Sequence, residues 1–185
     1  MPLVALGANL PNVTHVPVET LRLALDDLEN RGLRPRLVSR FYATPCFPAG
    51  AGPDYVNAAA VLDAPPGMTA DEVLGHLLAV ELAHGRDRKR RWGMRTLDLD
   101  LIAWGDAVLP DAATEEHWRK LDPSLQAAAA PDRLVLPHPR LQDRAFVLVP
   151  LADVAPHWRH PVLGRTVLEM LATLPQAERD AVRVL

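Results

Sequence analysis

Between Leu97 and Trp104 the chain reads LDLDLIAW, leucine alternating with aspartate. A period of two is the signature of a strand with two unlike faces. Asp98 and Asp100 therefore share one face, while Leu97, Leu99 and Leu101 take the other. At a rise of about 3.3 Å per residue the two acids sit about 6.6 Å apart along the backbone. Carboxylates placed side by side repel and are costly to desolvate without a partner. The segment just before them carries Arg86, Arg88, Lys89, Arg90, Arg91 and Arg95.

Taken alone, the basic run reads as a solvated loop, and the aspartates could pair with nearby arginines. Taken together, the two halves fit one arrangement. Magnesium is a hard ion that takes carboxylate oxygen and commonly shares its shell with substrate phosphates. Two such ions about 3.5–4 Å apart would suit the aspartate spacing, and the arginines would meet the remaining phosphate charge. The chemistry expected is a Mg-nucleotide or polyphosphate site.

With 185 residues the chain is expected to form one domain over 1–185, with length enough to bury a real core. A net charge of −3 argues against a general nucleic-acid binder. Cys46 is the only cysteine, which excludes an intrachain disulfide and favours a reducing compartment. Residues 1–10 lack a signal-peptide pattern, and no apolar run reaches the ~18 residues that span a bilayer. The expectation is a cytoplasmic protein, a monomer, without membrane or nucleic-acid partners.

Leu3–Leu6 reads as a first strand, with a tight turn at Gly7-Ala8-Asn9. Pro17 suits the first turn of a helix whose stripe is Leu21, Leu25 and Leu28, and Gly32 suits its stop. A second strand is expected over 34–43. After a loop rich in Pro and Gly, residues 54–62 form another, placing Tyr55 and Asn57 on one face. An aromatic beside an amide can stack on a heterocycle and read its edge; the same pair could equally be a core ring and a strand-end amide. Thr69 and Glu72 form a capping box. On the helix that follows, Leu74, Leu78 and Glu81 define a stripe that turns Glu81 inward, toward an arginine or a ligand. Residues 107–133 read as a surface excursion with a short helix at TEEHWRKL. Leu134–Leu136 reads as a short strand entering Pro137-His138-Pro139, and Thr166 with Glu169 opens a last helix that stops near Pro175. The order βαββαβ favours an α+β ferredoxin-like sandwich with a mixed, mostly antiparallel sheet. Neither a P-loop nor a G-x-G-x-x-G motif occurs.

Six segments, in order, resemble the 6-hydroxymethyl-7,8-dihydropterin pyrophosphokinase family of folate biosynthesis. They are LGANL (6–10), FYATP (41–45), PDYVNA (53–58), ELAHGRDR (81–88), RWGMRTLDLDLIAWGD (91–106) and LPHPRLQDRAFVLVPLADVAP (136–156). The resemblance implies a ferredoxin-like fold and transfer of pyrophosphate from ATP to the pterin hydroxymethyl oxygen, with release of AMP. It implies that Asp98 and Asp100 bind two Mg²⁺ ions. Tyr55 and Phe146 would sandwich the pterin, Asn57 would bond its edge, and Thr44, Pro45 and Phe47 would complete that pocket. Glu81, Arg86, Arg88, Trp92, Arg95, Arg133, His138 and Arg144 would surround ATP, with Arg86 and Arg95 offsetting charge during transfer. Loops 45–54 and 86–95 are those that close over the reactants in the family.

The chain departs from the family pattern at Met94, where proline is usual, at Leu78, which can be polar, and at Ala8, often serine. The 107–133 excursion is also longer than usual. Two other readings stand beside the pyrophosphokinase: a two-metal nucleotidyltransferase, and a paralogue that binds pterin or nucleotide without turnover.

Overall fold

The computed structural model of the protein describes residues 1–10, 15–46, 52–85, 96–122, 125 and 130–185. β1 (Pro2–Ala8) and α1 (Pro17–Asn30) lead to β2 (Arg34–Val38), β3 (Tyr42–Thr44) and β4 (Tyr55–Asp63). Then come α2 (Ala70–Ala83), β5 (Asp98–Trp104), α3 (Ala112–Lys120) and a 3-10 turn at Leu141–Asp143. α4 (Ala145–Val154), α5 (Val167–Thr173), α6 (Gln176–Asp180) and the short β6 (Arg183–Val184) follow.

The helix boundaries have local causes. Pro17 opens α1, where its missing N–H costs nothing. Gly32, at φ 84°, turns the chain after α1 in a conformation that favours glycine. Thr69 and Glu72 cap α2 reciprocally, with Thr69 N donating to Glu72 Oε2 at 2.7 Å and Glu72 N to Thr69 Oγ1 at 3.3 Å. Thr166 and Glu169 do the same for α5.

The strands form one sheet in the order β5-β1-β4-β3-β6, with β2 pairing the far end of β4. Every described pairing is antiparallel, the βαββαβ arrangement of a ferredoxin-like α+β fold. The expected strand over 34–43 is broken into β2 and β3. At the break Ser39 Oγ takes the Ala59 amide at 2.8 Å and donates to the Arg40 carbonyl. β1 runs on through Gly7 and Ala8, where a turn was expected, because both residues pair with β4. Leu134–Leu136 contributes only an isolated bridge, Leu109 to Leu136.

Because side chains alternate, the sheet has two cores. On one face Val4, Leu6, Ala60, Leu62, Leu99 and Leu101 pack against Leu21, Leu25 and Leu28 of α1 and Val73, Leu77 and Val80 of α2. The buried stripe of α2 is thus Val73, Leu77, Val80 and Glu81; Leu74 and Leu78 are only half-buried, one step around the helix. On the other face Leu3, Val61 and Ile102 pack against Val147, Leu148 and Leu151 of α4 and Val167 and Met170 of α5. Within α3, Glu115 is fully buried, with Arg119 Nε donating to it at 3.0 Å. Among the described residues no helix is long and apolar enough to cross a membrane.

Candidate active site

Residues directly opposite in an antiparallel ladder share a face. Tyr42 of β3 lies opposite Asn57 of β4, Asn57 opposite Gly7 of β1, and Gly7 opposite Asp98 of β5. One row therefore crosses four strands on the α4 face. In the next rows Thr44 lies opposite Tyr55, and Ala5 opposite both Ala59 and Asp100. With strands about 4.8 Å apart, the Asn57 and Asp98 backbones stand about 10 Å from each other across Gly7. The floor between them is glycine and alanine, so it is shallow.

Asn57 is 6% exposed, and its Nδ2 donates to Thr44 Oγ1 at 2.6 Å, which fixes how the amide is turned. A Cβ on Gly7 would come within 3.0 Å of Asn57 Oδ1, so that amide needs the missing side chain. Tyr55 is half-buried beside it, and Pro45 is exposed just after Thr44. Cys46 Sγ and the Gly52 backbone exchange contacts at 3.0 and 3.2 Å, and Asn9 Nδ2 donates to the Pro53 carbonyl at 3.2 Å. Cys46 and Gly52 are thereby held to each other, and Pro53 to the end of β1.

At the other end of the row, Asp98 and Asp100 are half-buried on one face while Leu97, Leu99 and Leu101 are buried on the other. β5 is an edge strand, and two outside groups occupy its edge. Glu81 of α2, 1% exposed, accepts the Leu99 N–H at 2.7 Å. His138 donates its backbone N–H to the Ile102 carbonyl at 2.8 Å, two residues past Asp100. Arg144, which precedes α4, brings Nη1 to 3.8 Å from Asp100 Oδ2 and its guanidinium to 5.6 Å from the Phe146 ring centre. Phe146, in the first turn of α4, is 41% exposed. Arg133 is exposed, 3.7 Å from Asp132. Phe47, Arg86, Arg88, Trp92 and Arg95, like Met94, lie outside the described residues.

His138 has a defined protonation state. Its Nδ1 accepts the Arg140 N–H at 3.1 Å, which leaves the proton of the neutral ring on Nε2. Desolvation first, and the Arg144 guanidinium second, push its pKa down to about 3. The unfolded chain thus takes up this proton before the folded one. The stability this group contributes is complete above about pH 6.5 and lost as pH falls toward 3. NMR titration of the folded protein should find the ring neutral from pH 8 down to about pH 4. A midpoint near the ordinary 6.5 would contradict this environment.

The two aspartates offer only oxygen donors, the set a hard divalent ion prefers. Among the described residues no group of three or more His, Cys, Asp or Glu could hold a metal ion. The protein thus provides two carboxylates on one face, and a bound ion would complete its shell with water and ligand oxygens. That is the usual habit of Mg²⁺.

A family model described as 7,8-dihydro-6-hydroxymethylpterin-pyrophosphokinase matches residues 3–156. A 2-amino-4-hydroxy-6-hydroxymethyldihydropteridine pyrophosphokinase of Pseudomonas aeruginosa is 39% identical over 175 residues, 93% of this chain and 90% of that protein. One of the same name from Synechocystis is 36% identical over 169 residues, 91% of this chain and 73% of that protein. Among solved structures, an HPPK-DHPS in complex with substrates superposes at a TM-score of 0.63 with 10% identity, over 93% of this chain. Wild-type Plasmodium falciparum HPPK-DHPS superposes at 0.57 with 12% identity, over 92% of this chain. These two show the fold alone, and this chain spans 44% of the length of each.

Proposed function

Since the chain belongs to the 7,8-dihydro-6-hydroxymethylpterin-pyrophosphokinase family, we propose that the row from Asn57 to Asp98 is where it transfers pyrophosphate from ATP to 6-hydroxymethyl-7,8-dihydropterin. The observation that carries this reading is the row itself. It puts a buried, pre-oriented amide at one end and paired carboxylates at the other, about 10 Å apart across Gly7. A pterin lying against Asn57 would direct its hydroxymethyl group across Gly7 toward the aspartates.

In this reading Asn57, with Thr44, Pro45 and Phe47, holds the heterocycle by its edge, and Tyr55 and Phe146 stack on its two faces. Asp98 and Asp100 would hold two Mg²⁺ ions, which when bound would neutralise phosphate charge and polarise phosphate oxygens. Glu81, Arg86, Arg88, Trp92, Arg95, Arg133, His138 and Arg144 would line the ATP. The hydroxymethyl oxygen attacks the β-phosphorus and the bond from that phosphorus to the α,β-bridging oxygen breaks. The β- and γ-phosphates go to the pterin, and AMP leaves. Arg86 and Arg95 would offset the charge that grows on the bridging oxygen. His138, neutral with its proton on Nε2, is suited to donate a hydrogen bond to a phosphate oxygen. Its low pKa makes it a poor acceptor, so the hydroxyl proton would leave to a site carboxylate or to water.

A monomer suits the exposed sheet edge. β2 carries Arg34, Pro35 and Arg36 and a register shift between Pro35 and Leu37, devices that discourage edge pairing.

Incubation with Mg-ATP and the hydroxymethyldihydropterin, with nucleotides resolved, tests the reading. AMP should appear one-for-one with pterin diphosphate. Release of free pyrophosphate would instead indicate nucleotidyl transfer, and saturable binding without turnover a non-catalytic protein. Asn57→Ala should weaken pterin binding by about 1–3 kcal/mol, the scale of a buried group left unpaired. Unchanged pterin affinity in calorimetry would remove Asn57 from the pocket.

A further inference from the structure

Asp153, in the last turn of α4, accepts hydrogen bonds from two residues of the sheet. Arg40 donates its backbone N–H and Nε to Oδ2, each at 3.1 Å, and Nη2 to Oδ1 at 2.7 Å. Tyr42 donates its hydroxyl to Oδ2 at 2.8 Å. Three of these donors converge on Oδ2 and one reaches Oδ1, so a single carboxylate ties both residues to α4. Arg40 is 62% exposed, so its ion pair alone contributes little. Tyr42 is 2% exposed, so its hydroxyl is held in a defined place. Burial first, and Asp153 next, push the Tyr42 pKa up to about 12, which keeps the hydroxyl a donor.

The two residues that Asp153 grips sit at a sensitive point. Arg40 lies in the break between β2 and β3, where the Ser39 N–H still bonds the Ala59 carbonyl at 2.9 Å but Ser39 Oγ, not a backbone carbonyl, takes the Ala59 N–H. Tyr42 stands opposite Asn57, and two residues on Thr44 Oγ1 holds the Asn57 amide. At the other end α4, a ten-residue helix about 15 Å long, carries Phe146 in its first turn. A heterocycle between Tyr55 and Phe146 would need contact near 3.5–4.0 Å on each side, and a gap of about 0.5–1 Å forfeits a quarter to a half of that attraction.

We propose that Asp153, through Arg40 and Tyr42, is a positioning residue for the pterin slot: it sets the distance between the wall on β3 and β4 and the wall on α4. This rests on the pterin reading of the site. None of the three residues need touch substrate; each acts through Asn57 or Phe146.

The test uses the full chain with Tyr42→Phe and Asp153→Asn, and reads KM for each substrate, kcat and Tm. Asp153→Asn should raise the pterin KM about tenfold and Tyr42→Phe about threefold, the range expected when bonds to a charged group are weakened or lost. KM for ATP and kcat at saturation should stay within about twofold, since the aspartate pair and His138 are held by other contacts. Glu115→Gln, at a buried carboxylate of α3, is the control: it should lower Tm and leave the pterin KM alone. Tyr42→Phe removes one hydroxyl and decides the matter if Asp153→Asn does not fold. Wild-type protein that forms no AMP overturns the functional reading and this proposal with it. Normal wild-type turnover with an unchanged pterin KM in the variants overturns this proposal alone.

Discussion

Asp98→Asn and Asp100→Asn should each lower kcat about a thousandfold or more, about 4 kcal/mol at 1.36 kcal/mol per tenfold, while pterin affinity changes little. Asparagine keeps the size and one oxygen of the side chain but removes the charge that makes it a ligand for a hard ion. Both residues are only half-buried and belong to neither apolar core, so the fold should survive the change. Asp100→Asn also removes the carboxylate that stands 3.8 Å from Arg144 Nη1. Steady-state kinetics with Mg²⁺ varied, beside calorimetric pterin binding, would measure the split. Near-wild-type turnover in either variant would remove that aspartate from the reaction.

The second large effect is on stability. Glu81→Ala should destabilise the protein by about 1–3 kcal/mol, the cost of leaving the buried Leu99 amide without an acceptor. At about 2–4 °C per kcal/mol for a chain of this size, Tm should fall by several degrees. Glu81→Gln keeps an oxygen in reach of that amide and should recover most of the loss. Leu99 lies between the two aspartates, so the bond from Glu81 fixes the strand on which both are carried. Glu81 is also placed near ATP by the proposed function, so thermal denaturation without ligand is the clean readout. A Glu81→Ala protein that melts like wild type would show that α2 holds β5 by packing alone.

Much of the site could be read locally, because strand alternation and helix capping depend on neighbours a few residues apart. The LDLDL alternation put both aspartates on one face, and Tyr55 and Asn57 shared a face by the same rule. The two capping boxes stand where Thr69 and Thr166 announced them. Glu81 was turned inward as expected, although the stripe it belongs to is Val73, Leu77 and Val80. That slip came from the periodicity of an apolar helix, in which Leu74 and Leu78 fit the count as well as the residues that are buried.

The chain's own order of residues determined the capped helices, the alternating strands with their paired acids, and the family the chain belongs to. Register belonged to the tertiary structure. That Gly7 lies between Asn57 and Asp98, that Thr44 turns the Asn57 amide, and that Asp153 reaches back to Arg40 and Tyr42 are facts of strand order and helix docking. They join residues as far as 113 positions apart, and no local pattern encodes a partner at that distance. Side-chain periodicity fixes which way a residue points. Only the packing of sheet and helices decides what it meets there.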